Sequence, residues 1–88
     1  LKNLWLSFNK LTSLKEILIS ITLAGIDTLT RLSVESNLID KIDIKFDINF
    51  FQLETLNLNG NNIDFIRENA FENLINLKYL LLEFNELK

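Results

Sequence analysis

Two pairs of carboxylates stand close enough along the chain to share acid–base work, Asp40 with Asp43 and Glu68 with Glu72, since proton transfer needs positioned groups within hydrogen-bond reach of one substrate. Little else points toward a reaction. The chain has no Cys and no His, which removes thiolate nucleophiles, disulfides, zinc sites and the commonest general base together. Gly25 and Gly60, its two glycines, are too far apart for a phosphate-cradling loop. Asp40-Lys-Ile-Asp43 lacks the spacing of a calcium loop. The carboxylates therefore read as solvated charge on an outer surface. No enzymatic activity, metal or cofactor is expected from these residues.

The elements that would carry any function must come from 88 residues, enough for one small domain. The net charge of −3 gives no basic surface for phosphate neutralisation, so nucleic acid is not an expected partner. Hydrophobic residues make up 48% of the chain, with 19 Leu and 11 Ile, a composition that excludes disorder. The longest apolar run, residues 17–26, is about half the roughly 20 residues a membrane-spanning helix needs. That run is not N-terminal and has no small-residue cleavage site after it, so it does not read as a secretory leader. The absence of Met, with Leu at position 1, leads us to expect a piece of a longer protein or a processed product.

One eleven-residue frame, L-x-x-L-x-L-x-x-N-x-L, occurs four times. Leu1, Leu4, Leu6, Asn9 and Leu11 fill it first, then Leu29, Leu32, Val34, Asn37 and Ile39. Leu53, Leu56, Leu58, Asn61 and Ile63 form the third copy, and Leu77, Leu80, Leu82, Asn85 and Leu87 the fourth. The starts at 1, 29, 53 and 77 are 28, 24 and 24 residues apart, and internal periods of this size indicate stacked repeats. Each Leu-x-Leu is a period-two signal for a short strand with one buried face. Successive strands lie too far apart for hairpins, and the spacing suits a crossover into a parallel neighbour. Leu14, Ile42 and Ile66, with Phe71 and Leu74, are expected to cover the leucine face, leaving the opposite face open.

The frame resembles the leucine-rich repeat family over the whole chain. That resemblance implies an α/β-type solenoid, a right-handed horseshoe with a short parallel sheet on its concave face. Its convex segments would be irregular, 3-10, short helical or extended. It makes residues 1–88 a single domain with repeats 1–28, 29–52 and 53–76, a partial repeat 77–88, and no terminal caps. It also makes Asn9, Asn37, Asn61 and Asn85 a structural asparagine ladder, whose amides bond the turns above and below. Repeat three, ending Phe71-x-x-Leu74-x-x-Leu77, resembles the 24-residue typical subclass, although Arg67 stands where that subclass usually has Pro. Repeat one ends similarly at Leu23-x-x-Ile26-x-x-Leu29 but holds four extra residues between Leu14 and Leu23. In repeat two, Ile42, Ile44, Phe46, Ile48 and Phe50 alternate with polar residues and Asp47 takes the Phe position, so an extended segment is expected there.

With the strands in register, the variable frame positions form columns across the open face. The third holds Asn3, Arg31, Thr55 and Tyr79; the fifth Trp5, Ser33, Asn57 and Leu81. The seventh holds Ser7, Glu35, Asn59 and Glu83, and the eighth Phe8, Ser36, Gly60 and Phe84. The chain's one Trp and one Tyr thus project from that face, and such aromatics are enriched in interface hot spots. Phe8 and Phe84 have an alternative reading as covers for the solenoid rim, and Leu81 as packing. Gly60 reads as a strand-end position where something approaches the backbone.

These features predict a protein-interaction module, recognising another protein through Asn3, Trp5, Ser7, Phe8, Arg31, Ser33, Glu35, Thr55, Asn57, Asn59, Tyr79, Leu81, Glu83 and Phe84. The typical subclass implies a secreted protein or receptor ectodomain. An intracellular scaffold, or the recognition part of a larger enzyme or receptor kinase, are the alternatives. Four strands about 4.8 Å apart, showing six residues of about 3.3 Å each, present only ~300–400 Å². A stable interface takes about 800 Å² per partner, so further repeats are expected to contribute.

Overall fold

The computed structural model describes residues 2–26 and 28–87; Leu1, the first frame position of repeat one, lies outside them. Each Leu-x-Leu becomes a strand: β1 Asn3–Trp5, β2 Arg31–Ser33, β4 Thr55–Asn57 and β6 Tyr79–Leu81. They pair in parallel in the order β1-β2-β4-β6, with Leu4, Leu32, Leu56 and Leu80 in one row. Backbone pairing runs on past the strands, from Leu6 N to Ser33 O (2.8 Å) and from Phe8 N to Glu35 O (3.1 Å) in the first interval. The same rungs recur in the next two.

Beneath the sheet, Leu29, Leu32, Val34, Ile39, Leu53, Leu56, Leu58 and Ile63 are buried. Leu4, Leu6, Leu80 and Leu82, expected to be buried, are half-buried. Their strands have a sheet neighbour on one side only, so one flank of each side chain stays open.

The asparagines act in one direction. The Asn37 Nδ2 donates to Val34 O (2.9 Å) in its own turn and to Leu6 O (2.8 Å) in the preceding repeat. Its Oδ1 accepts from Asn9 N (3.0 Å) and Leu11 N (2.9 Å). Asn61 repeats three of these bonds, to Leu58 O, Val34 O and Ile39 N, and Asn85 the same three, to Leu82 O, Leu58 O and Ile63 N. Each amide therefore serves its own turn and the one before it, not turns on both sides. Asn9, on the outer edge, is exposed and donates to Ser7 O.

The outer sides differ in every repeat. In repeat one the extra residues form α1, Leu14–Leu23. Its buried Leu14, Ile17, Leu18 and Ile21 follow the i, i+3, i+4, i+7 spacing of one helix face. The Ser13 hydroxyl caps it by accepting from Glu16 N (3.2 Å). Gly25, at φ 71°, stops it: Gly25 N donates to Thr22 O and Ile26 N to Ile21 O, the paired bonds of a Schellman ending. Leu23, which the sequence aligns with Phe71 of repeat three, is 82% exposed, because the helix turns it outward and buries Ile21.

Repeat two begins extended, as its alternation predicts. β3, Lys41–Ile42, pairs in parallel with β5, Phe65–Ile66, in a second, two-stranded sheet that the frame did not suggest. The alternation then breaks. The Asp47 carboxylate accepts from Asn49 N (2.9 Å) and caps a 3-10 turn, Ile48–Phe50. That turn swings Ile48 outward and brings Phe50 in. Phe46, one residue before the frame's aromatic position, fills the core: its ring centroid lies 5.8 Å from Phe71 and 6.1 Å, edge-on, from Phe50. Two of the carboxylates weighed for catalysis lie in exposed ion pairs, Asp43 with Lys41 (3.9 Å) and Glu72 with Lys45 (3.4 Å).

Asn61→Ala would orphan buried backbone groups in two repeats, a cost of about 1–3 kcal/mol, while Asn62→Ala, at an exposed neighbour, should stay within about 0.5 kcal/mol. Phe46→Ala should cost about 3–5 kcal/mol, and Ile48→Ser close to nothing. Urea melts of the four variants check the register inside and outside the sheet.

Candidate binding face

Strand alternation sends frame positions 3, 5 and 7 away from the core, and the exposure along each column decides what a partner could touch. In the third column Asn3, Arg31 and Tyr79 are exposed and Thr55 is half-buried. In the fifth, Trp5 is 66% exposed, and Asn57 and Leu81 are half-buried. Ser33 is 3% exposed and offers a partner no surface. It sits in register between Trp5 and Asn57, a short side chain flanked by two longer ones, and its Oγ lies 3.3 Å from Ser7 Oγ. In the seventh column Ser7, Glu35 and Asn59 are half-buried and Glu83 is exposed.

Several polar groups at the centre of the face are engaged with one another. Asn57 Nδ2 donates to Glu35 Oε2 (3.4 Å), and Asn57 Oδ1 accepts from Asn59 N (3.0 Å). Asn59 Oδ1 accepts from Glu83 N (2.8 Å) in the next repeat. Asn57 and Asn59 thus brace the sheet. The large aromatics that stand clear of it belong to the first and last repeats, Trp5 and Phe8 on one side, Tyr79 and Phe84 on the other, while Arg31 is exposed between them.

The eighth column has a common property unrelated to residue type. Phe8, Ser36, Gly60 and Phe84 all adopt left-handed backbone, with φ of 60°, 58°, 66° and 60°, as the chain leaves the strand. Gly60 suits this, and a Cβ there would meet Ser36 Oγ at 3.2 Å. The group that approaches Gly60 is therefore the adjacent repeat. For a bulky residue this conformation costs roughly 1–2 kcal/mol. Phe8 and Phe84 bear it while 76% and 83% exposed, so they do not cover a rim.

A further set of exposed apolar side chains, Ile48, Phe51, Phe65 and Ile75, lies away from the open face. Sequence reasoning placed Ile48 in the alternating extended run of repeat two and assigned no role to the others; their types alone carry no signal of exposure.

Residues 27–87 match the family model for Leucine rich repeat, well over half of the chain. The chain belongs to the leucine-rich repeat family. Among curated proteins none matches it. Leucine-rich repeat domains generally mediate protein–protein interaction, and the parallel sheet with its single α-helix among the described residues is compatible with a leucine-rich repeat solenoid. No helix among the described residues is long and apolar enough to cross a membrane.

Backbone strain at the eighth column has a direct test. Phe84→Asn keeps a residue that tolerates left-handed backbone and gives up little packing, so the urea midpoint should rise, by up to about 1 kcal/mol in stability. Gly60→Val, bulky at the same conformation and against Ser36, should lower stability by about 1–3 kcal/mol.

Proposed function

We propose that this leucine-rich repeat chain recognises another protein through the open face of its four-stranded sheet, the concave face of the horseshoe to which the repeats would build. The observation that carries the reading is the set of large aromatics held clear of that face: Trp5, Phe8, Tyr79 and Phe84, more than half exposed on a hydrogen-bonded sheet. Exposed aromatic rings on a rigid support lose little side-chain entropy on binding, and residues of this kind dominate interface energetics. Arg31, Thr55, Glu35 and Glu83 supply hydrogen-bonding and charged groups between and beside them. The small area of this face makes the chain one contributor to a larger recognition surface, completed by further repeats. The 24-residue spacing of repeats two and three supports a secreted or cell-surface setting, and the lack of His and Cys supports a role in recognition rather than catalysis.

Photo-crosslinking residues placed at Trp5 or Tyr79 in the intact protein should capture a partner that the same residues at Lys45 or Glu68, outside the open face, do not. With that partner in hand, Trp5→Ala or Tyr79→Ala should weaken binding by about 2 kcal/mol or more, roughly 30-fold. Lys45→Ala and Glu68→Ala should change it far less. Loss of affinity on the outer substitutions alone would move the site off the sheet.

A further inference from the structure

Asn59-Gly60 is the one Asn-Gly pair in the chain, and it carries its own chemistry. A glycine amide nitrogen, unobstructed by any side chain, attacks the preceding Asn carboxamide once hydroxide has taken its proton. The N–Cγ bond forms, the Cγ–Nδ2 bond breaks, and ammonia leaves. Water then opens the resulting succinimide at either carbonyl, giving aspartate or isoaspartate. The net change is one water consumed and one ammonia released, with no oxidant or enzyme required.

Both reacting groups are held by a single residue of the next repeat. Gly60 N donates to Glu83 O (2.9 Å), so the nucleophile keeps its proton in a backbone hydrogen bond. Asn59 Oδ1 accepts from Glu83 N (2.8 Å), so the carboxamide is turned toward the neighbouring chain segment. Asn59 N is itself fixed to Asn57 Oδ1 (3.0 Å). Attack requires the Glu83 segment, just after β6, to let go. That segment follows β6, where Leu80 and Leu82 are half-buried and Phe84 is exposed in left-handed backbone. Elements with few buried contacts open at lower free energy than the core.

We propose that Asn59-Gly60 is a latent deamidation site, protected while the Glu83 segment is docked and modified when that segment separates from repeat three. Its products place a new carboxylate beside Glu35 and Glu83 on the open face. Isoaspartate also adds a methylene to the backbone at a rung of the sheet, so an opening event becomes a permanent mark. The inference rests on the fold and holds whether or not the open face binds a protein.

The test is peptide mapping by mass spectrometry of the intact protein held in mildly alkaline buffer, native and urea-unfolded, with amide hydrogen exchange on the same sample. Conversion at Asn59 should be about tenfold or more slower in the native protein, and the slowing should track the exchange protection of the Gly60 amide. Asn85→Ala, which releases the last turn from Leu58 and Ile63, should raise the native rate several-fold; Asn9→Ala, at the opposite edge, should leave it unchanged. Equal native and unfolded rates would overturn the proposal. So would slow native conversion with an unprotected Gly60 amide, which is readable in the unsubstituted protein even if Asn85→Ala fails to fold.

Discussion

The fold depends on how a strand that turns away from its sheet satisfies its backbone. At frame position 11 the amides of Leu11, Ile39 and Ile63 face the Asn37, Asn61 and Asn85 carboxamide oxygens, and at position 6 the carbonyls of Leu6, Val34 and Leu58 meet the same side chains' Nδ2 groups. Left unpaired inside the solenoid, each such group carries a desolvation penalty of about 1–3 kcal/mol. One amide per repeat removes it and also sets the distance and register to the next repeat. The sheet, the row of leucines beneath it and the columns above it follow from that register.

Because the constraint lies on the inner side, the outer side is free to vary. A 28-residue repeat and 24-residue repeats present their strands identically. The surplus in repeat one is taken up by a capped helix, and repeat two reaches the same place by an extended run and a 3-10 turn around Asp47. Phe46 shows how far this tolerance goes: displaced by one residue from the aromatic position, it still packs at a tilt against Phe71, since extended backbone re-aims its side chain while the inner frame stays still.

Much of this was legible in the residues themselves. Five fixed positions in four copies announced parallel strands, their buried faces and the ladder, because periodicity reports which side chains share a face. What escaped is what periodicity does not encode. The helix in repeat one had its signals in Ser13, the 14-17-18-21 spacing and Gly25, but alignment to the other repeats recorded only four extra residues before Leu23. Ser33 reads from the sequence as a contact residue although its column already sets it between the longer Trp5 and Asn57, because column position alone does not report how neighbours shade a short side chain. The left-handed eighth position was hidden, since Phe, Ser, Gly and Phe share no chemistry and only the backbone unites them. The direction of the ladder was equally hidden, since an Asn amide is able to bond either way.

That direction bears on how the protein is made. A ribosome delivers repeats in order from the N-terminus, yet every ladder amide belongs to the repeat that follows the one it completes. Leu11 acquires its acceptor only with Asn37, 26 residues later in the chain; Ile39 awaits Asn61 and Ile63 awaits Asn85, each 22 residues on. Folding of the nascent chain therefore trails translation by about one repeat. The most recently synthesised turn is always the one still bonded to water.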